Sequence, residues 1–239
     1  MATTGWTVIG TDGGVGKTVV AAAIAANFIA AGRPVAVAKT VQAGPGEESA
    51  MVDRLVGFPV GRQGWKLPQP LDPIVGARLQ GQRLFPGEVV EWTLRALTGV
   101  DIGVVDTNGG CATEFNEGFN MSDLAGALGL SVVVVVRPGG ATTSQAALTC
   151  DHLRVRHADI TGLVVSRMPL NPTILEAATM VELERLTRYP IVGVIPDVGG
   201  VFDRLDPAGF AQVAAEGLSG GLGGRFDREA FMGQMRALV

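Results

Sequence analysis

The chain has 239 residues, 47% of them hydrophobic, enough for one substantial core but cramped for two, so a single domain over residues 1–239 is expected. Its 19 basic and 23 acidic residues give a formal net charge of -4 with no run of like charges, which leaves no footprint for nucleic acid or an anionic membrane. Two cysteines, Cys111 and Cys150, and two histidines, His152 and His157, make neither a disulfide framework nor a metal-ligand spacing, and no apolar stretch reaches spanning length. A cytoplasmic protein whose partners are small molecules or another protein is the expectation.

In chain order, short β-branched apolar runs at 6–10, 35–39, 102–106, 131–136, 161–166 and 191–195 each give way to a turn and a longer helical pattern. Runs apolar on both faces, as from Val132 to Val136, suit central parallel strands covered by helices on each side. The segment 16–31 reads as a helix closed by Gly32, and 142–156 and 173–188 read as crossover helices. The Pro- and Gly-rich segment 58–73 is expected to be a loop over the sheet edge, with helices near 74–80 and 86–97. Beyond Pro196, residues 206–218 read as a helix, 219–224 as a glycine-rich break with too little chain after it to be a domain linker, and 225–239 as a terminal helix.

Between the first run and the first helix stands Gly10-Thr-Asp-Gly-Gly-Val-Gly-Lys-Thr18. Over Asp12, Gly13, Gly14, Val15 and Gly16 the backbone is free to wrap so that successive N–H groups point at phosphate oxygens, and the helix N-terminus adds its positive end. Lys17 supplies a point charge near the transferred phosphoryl, and the Thr18 hydroxyl is left for magnesium. The alternative is a glycine-rich turn opening an ordinary helix, but it leaves unexplained a lysine placed at the positive end of a helix without an anion. Five residues rather than four separate Gly10 from Gly16, so the loop alone names no family.

The lengthened loop, followed by a helix and then by Lys39-Thr-Val-Gln-Ala-Gly44 closing the second strand, resembles the dethiobiotin synthetase family, which carries a Lys-Pro-Val-x-x-Gly segment there. Val105-Asp-Thr-Asn-Gly-Gly110 is similar to the family's Val-Glu-Gly-Ala-Gly-Gly, and Gly193-Val-Ile-Pro196 to its late Gly-x-Ile-Pro. The resemblance implies a three-layer α/β P-loop NTPase with a mostly parallel sheet of about seven strands. It implies ATP and Mg2+ as cofactors, a homodimer, and a reaction in which CO2 carboxylates a diamine. ATP then phosphorylates the carbamate, and the second amine closes a cyclic urea.

By the same resemblance Lys39, with Lys17 and Thr18, serves catalysis by holding carbamate and triphosphate in line. Magnesium is held by Thr18, by Asp106 where the family has Glu, and by an acid after the second strand, for which Glu48 is preferred over Glu47 and Asp53. Gly109 and Gly110 are expected to bind the substrate tail or an intermediate, and Gln42 the diamine or carbamate. Thr142 and Thr143 fall in the loop that receives the substrate carboxylate from the neighbouring subunit, and Pro196 and Asp197 fall on the nucleotide side. Taken singly, Lys39 also fits an exposed strand-end lysine, Glu48 a solvated helix start, Thr142 and Thr143 plain N-caps, and Cys111 a wall of the site.

Thr40, Asp106, Thr107-Asn108 and Thr143 depart mildly from the family pattern, and Ser166-Arg-Met-Pro169 stands where it often has an Asn-Asp pair near adenine. These departures point to a changed substrate and leave the base open. The main rival is a partitioning or placement ATPase switching between monomer and nucleotide-sandwich dimer. Such proteins carry Lys where Asp12 stands, with a membrane-targeting tail or a basic DNA surface that is not evident here. An iron–sulfur reductase component and a free-standing relative of the corrin amidases are more distant alternatives.

Overall fold

The computed structural model describes residues 4–197 and 206–239. The six β-branched runs become β1 (Thr4–Gly10), β2 (Val35–Ala43), β4 (Ile102–Gly110), β7 (Ser131–Val136), β8 (Ile160–Met168) and β9 (Ile191–Pro196), and the chain adds β3 (Gly61–Leu67) and a small hairpin of β5 (Glu114–Asn116) and β6 (Phe119–Asn120). Among the described residues seven strands form one parallel sheet in the order β3-β2-β4-β1-β7-β8-β9. The chain leaves β1 toward β2 on one side and returns to β7 on the other, so the crevice for ligands opens at the carboxyl end of β1 and β4.

Alternation along the strands feeds a core on each face. Val8, Val37, Val104, Val133 and Val135 meet one set of helices: α1 (Lys17–Ala30), α2 (Glu48–Val56) and α8 (Pro207–Gly217). On the other face Ala36, Ala38 and Val105 pack with α3 (Pro73–Leu79), α4 (Pro86–Ala96) and α5 (Met121–Leu128). There too Ile9, Val134 and Val165 pack with α6 (Thr142–Val155), α7 (Ile174–Thr187) and α9 (Arg228–Ala237). Helices on both faces account for the doubly apolar central strands.

Helix ends follow local chemistry. Gly32, with φ +73, closes α1 by donating its N–H to the Ile29 carbonyl at 2.9 Å. Thr173 and Glu176 form a reciprocal capping box at the start of α7. Asn120 and Asp123 do the same at α5.

The expected loop at 58–73 is corrected: its middle is the edge strand β3, seven residues paired to β2 from Val37↔Gly61 to Ala43↔Leu67. Gly64 is required there, since a Cβ would lie 2.2 Å from the Thr40 carbonyl oxygen. Only Leu67 of this strand is buried, and Trp65 leans edge-on against Trp92 of α4, with ring centroids 5.9 Å apart. Its polar composition fits a sheet edge, so the apolar signal is missing. Strands β2 and β4 also run four residues beyond the ends read from sequence, past Lys39 to Ala43 and past Asp106 to Gly110. No helix among the described residues is long and apolar enough to cross a membrane.

Candidate active site

The register of β2 and β4 builds the site. Lys39 pairs with Asp106 in the ladder, and Asp106 with Val8 of β1, so the lysine and the carboxylate follow Val37 and Val104 on the α1 face as it reaches the mouth of the sheet. There Lys39 is 3% and Asp106 1% exposed. Helix α1 begins just above them, and the Thr18 hydroxyl in its first turn donates to Asp106 Oδ2 at 2.7 Å.

Lys39 Nζ lies 3.2 Å from the same Oδ2, donates to the Thr107 carbonyl at 3.1 Å, and stands 2.6 Å from Glu48 Oε2. The Glu48 contact is a close ion pair off the line of a hydrogen bond. Burial works against the charge of Lys39, yet Asp106 and Glu48 outweigh it and hold its pKa above the ordinary lysine value. The exposed strand-end lysine is thereby excluded. Lys17 Nζ, from the start of α1, donates to the Asp12 carbonyl at 2.9 Å and the Gly109 carbonyl at 2.7 Å. Burial lowers its pKa to about 8; Asp106 offsets part of that and the charge of Lys39 adds to it.

The loop over these groups is held by close packing on β8 and by one of its own carboxylates. Gly16 has φ +106, and a Cβ on it would come within 2.2 Å of Ser166 Oγ, so no larger residue fits between α1 and β8. Asp12 turns its carboxylate onto the Gly13 N–H at 2.6 Å. Gly13, Gly14, Gly16, Lys17, Thr18, Lys39, Glu48 and Gly109 line one cavity, joined by Met51, Thr107, Asn108 and Arg167.

Of the three acids weighed for the place after β2, Glu48 alone lines this cavity. Glu47 pairs with exposed Lys66 at 2.6 Å, and Asp53 accepts the Gly61 N–H at 2.6 Å, pinning the start of β3. Gln42 is buried; its amide donates to the Gly46 carbonyl and its carbonyl accepts from the Glu48 N–H at 3.2 Å, which fixes the turn presenting Glu48.

Asp106 Oδ1 is buried without a hydrogen-bond partner beside the Thr18 hydroxyl. Among the described residues no three His, Cys, Asp or Glu side chains form a complete metal cage. Two carboxylates and a hydroxyl are nevertheless the partial set that magnesium takes when waters and nucleotide phosphates complete its shell.

The other expected residues lie outside this cavity. The Gly110 N–H donates to Thr113 Oγ1 at 3.0 Å, while Gly110, Cys111 and Thr113 line a neighbouring hollow with Thr11 and Asp12. Burial pushes the Cys111 thiol up, against partial relief from the Thr149 and Ser122 hydroxyls. Thr142 lines a second hollow against the phosphate loop and donates to the Arg137 carbonyl; Thr143 follows, half-buried. The N-cap of α6 is Ala141, so neither threonine is a plain cap. Pro196 lines a groove against α8 and α9, and the Asp197 N–H donates to the Met168 carbonyl at 2.6 Å.

A family model described as AAA domain matches residues 4–202. The ATP-dependent dethiobiotin synthetase BioD of Streptomyces coelicolor is 35% identical over 94% of this chain and 95% of its own length. The protein of the same name from Saccharopolyspora erythraea is 37% identical over 92% of this chain and 98% of its own. This chain belongs to the dethiobiotin synthetase family. The crystal structure of a ParA family ATPase from Chlorobium tepidum superposes with TM-score 0.58 over 89% of this chain and 90% of that one; at 16% identity the likeness concerns the fold alone.

In this dethiobiotin synthetase relative, Arg167 and Met51 line the phosphate cavity without having been singled out as site residues. Met51 carries a signal, one helical turn past Glu48 on α2. Arg167 falls in the segment Ser166–Pro169, noted for its departure from the family's adenine-side pattern, and it reaches the cavity because β8 runs on to Met168 and bends there, Arg167 having φ +58.

Proposed function

We propose that this chain is an ATP- and magnesium-dependent cyclo-ligase that makes a cyclic urea from CO2 and a 7,8-diaminononanoate-like diamine. It works as a single-domain cytoplasmic enzyme and as a homodimer. The observation that supports the reading is the convergence of Lys17, Lys39, Thr18 and Glu48 on one cavity at the mouth of the phosphate loop, with the buried Asp106 carboxylate bridging Thr18 and Lys39.

Residues 12–18 wrap the nucleotide phosphates with backbone N–H groups, and Lys17 leaves its two carbonyl partners for the terminal phosphate. Thr18, Glu48 and Asp106 would hold magnesium, which supplies charge neutralisation between the outer phosphates. One amine of the diamine takes up CO2 and loses a proton to give the carbamate. A carbamate oxygen attacks the terminal phosphorus, and ADP leaves. The second amine then attacks the carbamoyl carbon, phosphate leaves carrying away the carbon–oxygen bond's electrons, the attacking nitrogen gives up a proton to the departing phosphate or to water, and the ring closes. Lys39 offsets the repulsion of carbamate and triphosphate, which must approach as two anions.

The diamine occupies the hollow of Thr11, Gly110 and Cys111, next to the phosphate cavity. Its tail reaches the loop around Thr142 and Thr143 of a neighbouring subunit. Gln42 contributes by fixing the turn that carries Glu48. Pro196 and Asp197 close the base side.

Incubation with ATP, magnesium, labelled bicarbonate and 7,8-diaminononanoate should yield a labelled cyclic urea by mass spectrometry. Lys39→Ala should lower kcat by about 100-fold or more, as loss of a group that stabilises developing charge does. A protein that makes no urea, yet hydrolyses ATP faster with DNA or vesicles, would instead be a nucleotide-switched partitioning ATPase.

A further inference from the structure

Lys39 sits in an unusual place for a group meant to face substrate. Its Nζ stands 2.6 Å from Glu48 Oε2 and 3.2 Å from Asp106 Oδ2, and that second oxygen is also the acceptor of the Thr18 hydroxyl. The ammonium therefore lies among the three side chains proposed to ligate magnesium. The space between those oxygens admits one cation, because a second at this range would be repelled strongly in a buried setting.

We propose that Lys39 is a tethered cation holding the metal position of the nucleotide-free protein, so that Lys39 and a divalent cation exclude each other between Glu48 and Asp106. The proposal rests on Thr18, Glu48 and Asp106 being the metal ligands. It accounts for a carboxylate only 1% exposed, since Asp106 without a cation beside it would be an uncompensated buried charge. It also gives the ammonium a way into the reaction. Once another cation takes the two carboxylates, Lys39 keeps only the Thr107 carbonyl, which holds it on the cavity shared with Lys17. The lysine thus becomes available to the carbamate only when metal and nucleotide are already in place.

The test is a titration of Mn2+ alone into nucleotide-free protein, read by the electron paramagnetic resonance of the free ion. Wild type should bind weakly, Lys39→Met at least about tenfold more tightly, and Lys39→Arg as weakly as wild type, because the arginine keeps the charge. Equal affinity of wild type and Lys39→Met overturns the proposal, and so does Lys39→Arg binding as tightly as Lys39→Met. Should Lys39→Met not fold without metal, Lys39→Gln carries the same expectation, since its amide fills the gap with no charge. Glu48→Gln and Asp106→Asn, titrated with Mn2+ and a non-hydrolysable ATP analogue, separate the two layers. Unchanged affinity in both removes the ligand assignment and the proposal with it; weakened affinity alongside an unchanged Lys39→Met overturns the exclusion alone.

Discussion

Lys17 and Lys39 are ammonium groups buried on one cavity, and burial opposes the charge of each, yet their pKa values move in opposite directions. Lys39 has two carboxylates within 3.2 Å, whereas Lys17 has two neutral carbonyls. The signs follow. Lys39, raised above 10.5, contributes stability that is complete below 10.5 and is lost as pH climbs through its folded value. Lys17, lowered from 10.5 to about 8, costs stability below pH 8, a cost relieved as pH rises from 8 to 10.5. A bound polyphosphate favours the protonated form of Lys17, so binding should take up a proton above pH 8. Calorimetry at pH 8.5 in two buffers of different ionisation enthalpy should show a net uptake of a fraction of a proton per nucleotide. Lys17→Met should show none from this source. Equal uptake by the variant would place the titrating group elsewhere.

At the scale of elements, the sequence reveals strands where both faces are apolar and conceals them where the backbone alone does the pairing. Strand β7 is bounded as its valines announce, and the phosphate loop is legible because its glycines, lysine and threonine are each required by phosphate geometry. Strand β3 was hidden because an edge strand of Gly, Arg, Gln and Lys buries only Leu67. The partnership of Lys39 with Asp106 was likewise invisible in sequence, since it depends on the β2–β4 register. The assignment of Asp53 also turns on this edge. Its carboxylate accepts the Gly61 N–H at 2.6 Å, so Asp53→Ala should destabilise the fold by roughly 1–3 kcal/mol through an unpaired amide. Manganese affinity in the presence of an ATP analogue should stay unchanged. Urea unfolding and the same metal titration check both halves, and a loss of metal binding would return Asp53 to the ligand set.

At the scale of the whole molecule, the phosphate loop is coupled to the end of the chain through α1. Asn27, 5% exposed, donates its side-chain amide to the carbonyls of Ala214 and Leu222, both at 3.2 Å, which ties the helix opened by Lys17 to α8 and the turn after it. At the other face the Arg228 guanidinium donates through Nε and Nη2 to the two carboxylate oxygens of Glu184 at 2.8 and 2.6 Å, fastening α9 to α7. The links run from the C-terminal helices back to α1, the first helix, and to α7. We therefore expect one cooperative unit: urea transitions followed by tryptophan fluorescence and by far-ultraviolet circular dichroism should coincide. Asn27→Ala should lower the midpoint of both together by an amount equivalent to roughly 1–3 kcal/mol, because the Leu222 carbonyl loses its donor and the Ala214 carbonyl is left with the Leu218 N–H alone. Magnesium–ATP at about 100 times its dissociation constant should restore about 2.7 kcal/mol, since it binds the folded state alone. Two separated transitions, with only one displaced by Asn27→Ala, would divide the chain into independent parts and remove the link between the C-terminal helices and the phosphate loop.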